Sequence, residues 1–161
     1  MKKFAPYFVL FLISILCYNT AKAQTYALNN GFTFNETVTT CSGTFFDSNP
    51  NGNYAPFESY IVTFRSGNIG KVMQMNFTQM AVGAGDTLFV YDGLGTNNAV
   101  LDTFTNAIFN GEFVITVSDT SNSGALTFKF TSNASIQALG WQATIKCAFK
   151  CQKIQGNIIT T

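Results

Sequence analysis

Leu126-Thr127-Phe128-Lys129-Phe130-Thr131 alternates apolar and polar side chains without a fault. Successive side chains of a strand point to opposite faces, so such a run has one face for a core and one for water. Val72-Met73-Gln74-Met75-Asn76-Phe77 behaves alike, with Met73, Met75 and Phe77 opposing Gln74 and Asn76. Outward from these two stretches, apolar or β-branched runs recur at 31–39, 43–46, 59–65, 87–91, 100–104, 113–118 and 141–147. Turn-forming residues separate them, among them 47–53, Gly83-Ala84-Gly85, Asp92-Gly93-Leu94-Gly95 and Ser121-Asn122-Ser123-Gly124; these tolerate positive φ or bond back to their own backbone. After residue 24 no long window keeps a helical apolar period. The pattern predicts an all-β chain folded as a two-sheet antiparallel sandwich.

Composition narrows the function. The 161 residues are 47% hydrophobic but only 11% charged, against about a quarter in an ordinary soluble domain. Histidine is absent, which excludes Ser-His-Asp and Cys-His nucleophiles, HExxH zinc sites and a histidine proton shuttle. Met1-Lys2-Lys3, the apolar run Phe8 to Leu16, and Ala21-Lys22-Ala23 before Gln24 read as a secretory signal peptide, residues 1–23. A membrane span needs roughly 20 apolar residues, and Tyr18-Asn19-Thr20 interrupts this run. No membrane span is therefore expected once the leader is cleaved. Without Lys2, Lys3 and Lys22 the chain keeps six basic residues against eight acidic ones, a net charge of −2. Nucleic-acid binding requires a basic face and finds no support.

The 17 phenylalanines divide by position. Phe45, Phe64, Phe77, Phe89, Phe128 and Phe130 lie on strand-like runs and are expected in the core. Tyr54, Phe57 and Phe109 lie in loops and are the candidates to face a ligand. Catalysis by paired carboxylates needs groups about 5–10 Å apart. Asp86 and Asp92, six residues apart along a strand, would be separated by roughly 20 Å. No enzyme is expected.

Three ordered motifs resemble a CUB domain. Cys41-Ser42-Gly43-Thr44-Phe45-Phe46-Asp47-Ser48 with Asn53-Tyr54 resembles the family's opening. Val72 to Phe77, followed by Asp86-Thr87-Leu88-Phe89-Val90-Tyr91-Asp92-Gly93, is similar to its middle. Gly124 to Asn133, followed by Gly140-Trp141-Gln142-Ala143, is similar to its closing strands. The variant resembles CUB domains of secreted proteins from Bacteroidetes-type bacteria. The resemblance implies a jelly-roll-like sandwich at 24–148 that acts as an extracellular recognition module. It also implies a calcium position at one end of the sandwich. Transferred residue by residue, that position keeps Asp86, has Asn133 in place of an Asp, and has Gly83 in place of a Glu; Asp119 is the alternative to Asn133. Calcium takes six to eight oxygen ligands and gains affinity from carboxylates, so Asp86 and Asn133 make a degenerate, weak site. No other cofactor is expected.

Beyond the leader three cysteines remain, Cys41, Cys147 and Cys151. In an oxidising compartment an odd number leaves one over. The animal family pairs its first cysteine about 25 residues on, near Ser59-Tyr60, where this chain has none. A sandwich often brings its first and last strands side by side, so Cys41 is expected to bond Cys147 or Cys151. Residues 149–161 read as a tail or as the start of a linker. The functional expectation is a secreted module that binds an extracellular protein or glycan through loops at one end of the sandwich. The alternative is a structural spacer or assembly domain of a larger adhesin or secreted enzyme.

Overall fold

The computed structural model describes residues 24–29 and 35–150. The predicted leader, the start of the 31–39 run and Cys151 lie outside them. Eleven strands follow in order: β1 (Thr25–Ala27), β2 (Glu36–Thr39), β3 (Thr44–Phe46), β4 (Ser59–Arg65), β5 (Lys71–Val82), β6 (Thr87–Tyr91), β7 (Val100–Phe104), β8 (Ala107–Phe109), β9 (Phe113–Thr116), β10 (Ala125–Thr131) and β11 (Gly140–Phe149). One sheet has the order β1-β3-β11-β5-β8, with β9 also paired to β5, and the other has β2-β4-β10-β6-β7. The described residues contain no helix. All pairings are antiparallel except β1 with β3 and β2 with β4. Both exceptions are edge strands from the segment that precedes β3, and it lays one short strand on each sheet.

Aromatic side chains fill the space between the sheets. Phe45 on β3 lies 4.9 Å from Phe64 on β4 and 5.1 Å from Phe128 on β10, ring centre to ring centre. Trp141 on β11 lies 5.0 Å from Phe130 on β10. Each contact joins one sheet to the other, and all five side chains are essentially inaccessible. Burial of such a side chain contributes roughly 1.5–3 kcal/mol before the cost of ordering it.

Two departures from simple alternation have local causes. Thr127 points to the face of β10 expected to be wet, yet it is fully buried. Its hydroxyl donates to the Gly93 carbonyl, accepts from the Gly95 N–H and shares a hydrogen bond with Thr63. The turn after β6 thus folds over that face and satisfies the hydroxyl. On β5 the register against β11 shifts, Gln142 facing Gln79 while Ala143 faces Phe77. The extra residue, Thr78, forms a bulge that reverses the phase of the strand. Met73, Met75 and Phe77 point inward before it, and Met80 and Val82 after it.

Phe89 does not reach the core. Leu88 and Val90 take the inward face of β6, and Phe89 stands half-buried on the outer face beside Tyr91. An unbroken apolar run carries no phase information, which is why this residue was misplaced.

Candidate functional site

The end of β5, the start of β6, the end of β10 and the start of β11 converge at one pole of the sandwich. Asp86 enters β6 there and is fully buried. One of its carboxyl oxygens accepts from the Asn133 N–H at 2.7 Å, and the other accepts from the Tyr54 hydroxyl. That hydroxyl in turn accepts from the Gly83 N–H at 2.8 Å. Burial, reinforced by the Asp86 carboxyl, pushes the Tyr54 phenol up to about 12. Asn133 turns its side chain away from Asp86, its amide donating to the Ala84 carbonyl at 2.8 Å and its oxygen accepting from the Ser135 N–H at 2.7 Å. Ser132 pins the preceding loop, accepting from the Glu58 N–H and donating to the Ala55 carbonyl.

The structure thus brings Asp86 and Asn133 together, but Tyr54 is not ligand-facing. It is a core residue that orders three loops, and nothing in its local sequence distinguishes a loop tyrosine that plugs the end of a sandwich from one that faces water. Asp119 lies in the β9–β10 connection at the opposite pole, so it does not replace Asn133. Asp92 also lies at that far pole, where both its carboxyl oxygens accept from Ser118. Asp86 and Asp92 thus stand at opposite ends of β6. Among the described residues no group of three or more acidic or cysteine side chains is arranged to hold a metal.

The pole does not fit a calcium ion as it stands. The carboxyl oxygens of Asp86 already accept from protein donors, and the carboxamide oxygen of Asn133 is committed to Ser135. Gly83, at the position where the family resemblance calls for Glu, has no room for a side chain, since a Cβ there would lie 1.8 Å from the Ile136 carbonyl oxygen. Gly83→Glu is accordingly expected to destabilise the fold by about 2–4 kcal/mol without creating a calcium response. For the unmodified chain, calcium near 1 mM should move the melting temperature by no more than about 1–3 °C, as for a dissociation constant near 1 mM. Thermal melts with and without calcium check both; a large rise abolished by Asp86→Ala would refute them.

A second buried acid braces the same pole. Asp47, 1% exposed, accepts from the Asn49 N–H at 2.6 Å and from the Trp141 N–H at 3.1 Å. Burial outweighs these two bonds and pushes its carboxyl up to about 6, and Glu58 is raised from the usual range by the same cause. A carboxyl raised above its unfolded value contributes stability that is fully present below about pH 4 and is lost as pH rises through about 6. Without histidine, few other groups titrate in that interval. The chain is thus expected to be more stable at pH 5 than at pH 7, by roughly 1 kcal/mol from Asp47 alone, or about 2–6 °C. Melting curves across this range check it, and Asp47→Asn should flatten them.

Around this hydrogen-bonded base stand exposed apolar residues. Phe57 is 77% exposed and Ile136 63%, and both adopt positive φ, +60° and +64°. The Phe57 N–H bonds the Asn133 carbonyl, and the Ile136 carbonyl oxygen packs on Gly83. Leu139, Ile108 and Phe109 are exposed as well, the last two where β8 pairs with the end of β5. Of the three aromatics expected in loops, Phe57 and Phe109 are thus accessible at one pole, but Phe109 closes strand β8 and does not lie in a loop.

Known structures share this architecture. The full extracellular region of zebrafish Gpr126/Adgrg6 matches with a TM-score of 0.55 and 21% identity, over 73% of this chain and 15% of that one. The CUB1-EGF-CUB2 region of human MASP-1/3 matches with a TM-score of 0.55 and 15% identity, over 71% of this chain and 42% of that one. The corresponding region of rat MASP-1 gives 0.52 and 13%, over 70% and 42%. The fold is CUB-like. Each of these chains is more than twice as long as the part that this chain covers. No protein-family profile matches the sequence, and no curated protein matches it. The CUB-like likeness therefore speaks to architecture, and function must be argued from the site.

Proposed function

We propose that this CUB-like chain is a secreted, non-catalytic recognition module that binds an extracellular protein or glycan through the loops of its Asp86 pole. Residues 1–23 are the leader removed on export, and the module begins at Gln24. β11 runs to Phe149, one residue past the boundary read from sequence. The observation that carries the reading is the exposure of Phe57 and Ile136 in left-handed backbone conformations. For a β-branched or bulky residue that conformation costs about 1–2 kcal/mol, and strain of this kind collects at functional sites. Here the hydrogen-bonded network beneath sustains it.

The experiment is a screen of the exported chain against arrayed extracellular proteins and glycans, together with the variant Phe57→Gly/Ile136→Gly. Glycine relieves the backbone strain, so the variant should melt at the same temperature or higher while losing the ligand that the parent captures. Undiminished binding by the variant would overturn the assignment of this pole. Silence of the parent across the array would favour the spacer role. N-terminal sequencing of exported material should find Gln24, and retention of Met1 would overturn secretion by this route.

A further inference from the structure

At the opposite pole β4 and β11 end, and β5 and β10 begin. Their connections enclose an open recess of about 710 Å³, within the range of small-ligand sites. Its charged lining is Arg65, Lys71 and Lys150, and among the described residues no Asp or Glu lines it. These are three of the six basic residues that follow the leader, gathered in a chain whose net charge there is −2. Two of them are held in place. Lys71 Nζ stands 4.9 Å over the Phe149 ring, and Lys150 Nζ donates to the Ser121 carbonyl at 2.7 Å. Phe149 and Ile69 are exposed on the rim, and Ser123 and Asn122 supply hydroxyl and amide groups. The recess next to it contains Asp92, but that carboxyl group is occupied by Ser118.

We propose that this recess is a binding site for an anionic saccharide, a short glycan segment bearing sulfate or uronate groups. Three cations without a lining carboxylate attract an anion, and a partly enclosed site weakens screening by salt. Hydroxyl and amide groups beside an exposed aromatic ring suit a sugar, with hydroxyls to hydrogen-bond and an apolar ring face to stack. An acidic peptide is disfavoured by position. Extended peptides commonly add to a free strand edge, whereas this recess lies in the connections at strand ends. The site is independent of the Asp86 pole.

Titration calorimetry of the exported chain tests it, with a heparin-derived tetrasaccharide and a tetragalacturonate as charged probes. Cellotetraose and tetraglutamate are the comparisons. At least one charged saccharide should bind about tenfold or more tighter than cellotetraose, with an affinity that falls as salt is raised. Arg65→Gln/Lys71→Gln/Lys150→Gln should lose about thirtyfold or more, and Lys129→Gln/Lys146→Gln, with cations removed elsewhere, less than about twofold. Phe149→Ala should weaken the saccharide about threefold to tenfold and leave its salt dependence unchanged. Melting temperatures of all variants should stay close to the parent's, and Phe57→Gly/Ile136→Gly should bind these probes normally. Tetraglutamate binding as tightly as the saccharides, equal losses in the two charge variants, or no binding of either charged probe would each overturn the proposal.

Discussion

Reduction of the Cys41–Cys147 bridge is expected to lower the melting temperature by about 10–20 °C. The two half-cystines are 106 residues apart, and in the chain-entropy argument closing a loop of that length contributes about 4–5 kcal/mol. For a domain of this size that corresponds to the stated shift. Location adds to the effect. Cys41 lies in the crossover from β2, in one sheet, to β3, in the other, while Cys147 lies on β11, which pairs with both β3 and β5. The bridge therefore fastens the inter-sheet crossover to a central strand. Melts with and without reductant check this, alongside Cys41→Ser, Cys147→Ser and the double variant, which should fall together. An unchanged midpoint on full reduction would show that strand pairing alone holds the crossover.

The Cys41–Cys147 bridge was legible because cysteine arithmetic left few partners for Cys41, but the first strands do not lie beside the last: β1 pairs with β3 and β2 with β4, and it is β3 that borders β11. Strands with strict alternation were equally legible: β10 and the first half of β5 fall where Leu126 to Thr131 and Val72 to Phe77 place them. What failed did so where the periodic signal ends. The bulge at Thr78 reverses the inward phase, so a pattern followed from Met73 stops at Phe77 although the strand continues to Val82. The three-residue strands β1 and β8 are too short to show a period. They are recruited by partners that are already ordered, β3 and the end of β5.

The candidate site divides along the same line. Asp86 and Asn133 were paired by the resemblance to CUB domains and not by any local signal, whereas Phe57 and Phe109 stood out as aromatics outside the alternating runs, although Phe109 closes β8. Tyr54 and Asp47 were not recognised as the braces of that pole. Each reaches far along the chain, Tyr54 to Asp86 and Asp47 to Trp141, and single-sequence spacing holds no record of such contacts. The basic recess was invisible for the same reason. Arg65, Lys71 and Lys150 are scattered over 86 residues and meet only because β4, β5 and β11 share a pole.

Gly140→Ala should be strongly destabilising, at a cost of about 3–5 kcal/mol. Gly140 opens β11 with φ +65°, and a Cβ there would lie 1.9 Å from an Asp47 carboxyl oxygen and 2.6 Å from the Asp47 Cβ. The left-handed backbone alone accounts for about 1–2 kcal/mol with any other residue. The remainder comes from expelling Asp47 from its bonds to the Asn49 and Trp141 N–H groups, which leaves buried donors unpaired at about 1–3 kcal/mol. The two contributions separate in a double-mutant cycle. Asp47→Gly removes the three atoms nearest to the new methyl, so in its background Gly140→Ala should cost mainly the backbone portion, giving a coupling of about 2 kcal/mol or more. Denaturant unfolding of the four proteins measures it. Additive losses would mean that the methyl is resisted by the backbone alone, and that the Asp47 carboxyl yields without loss of its hydrogen bonds.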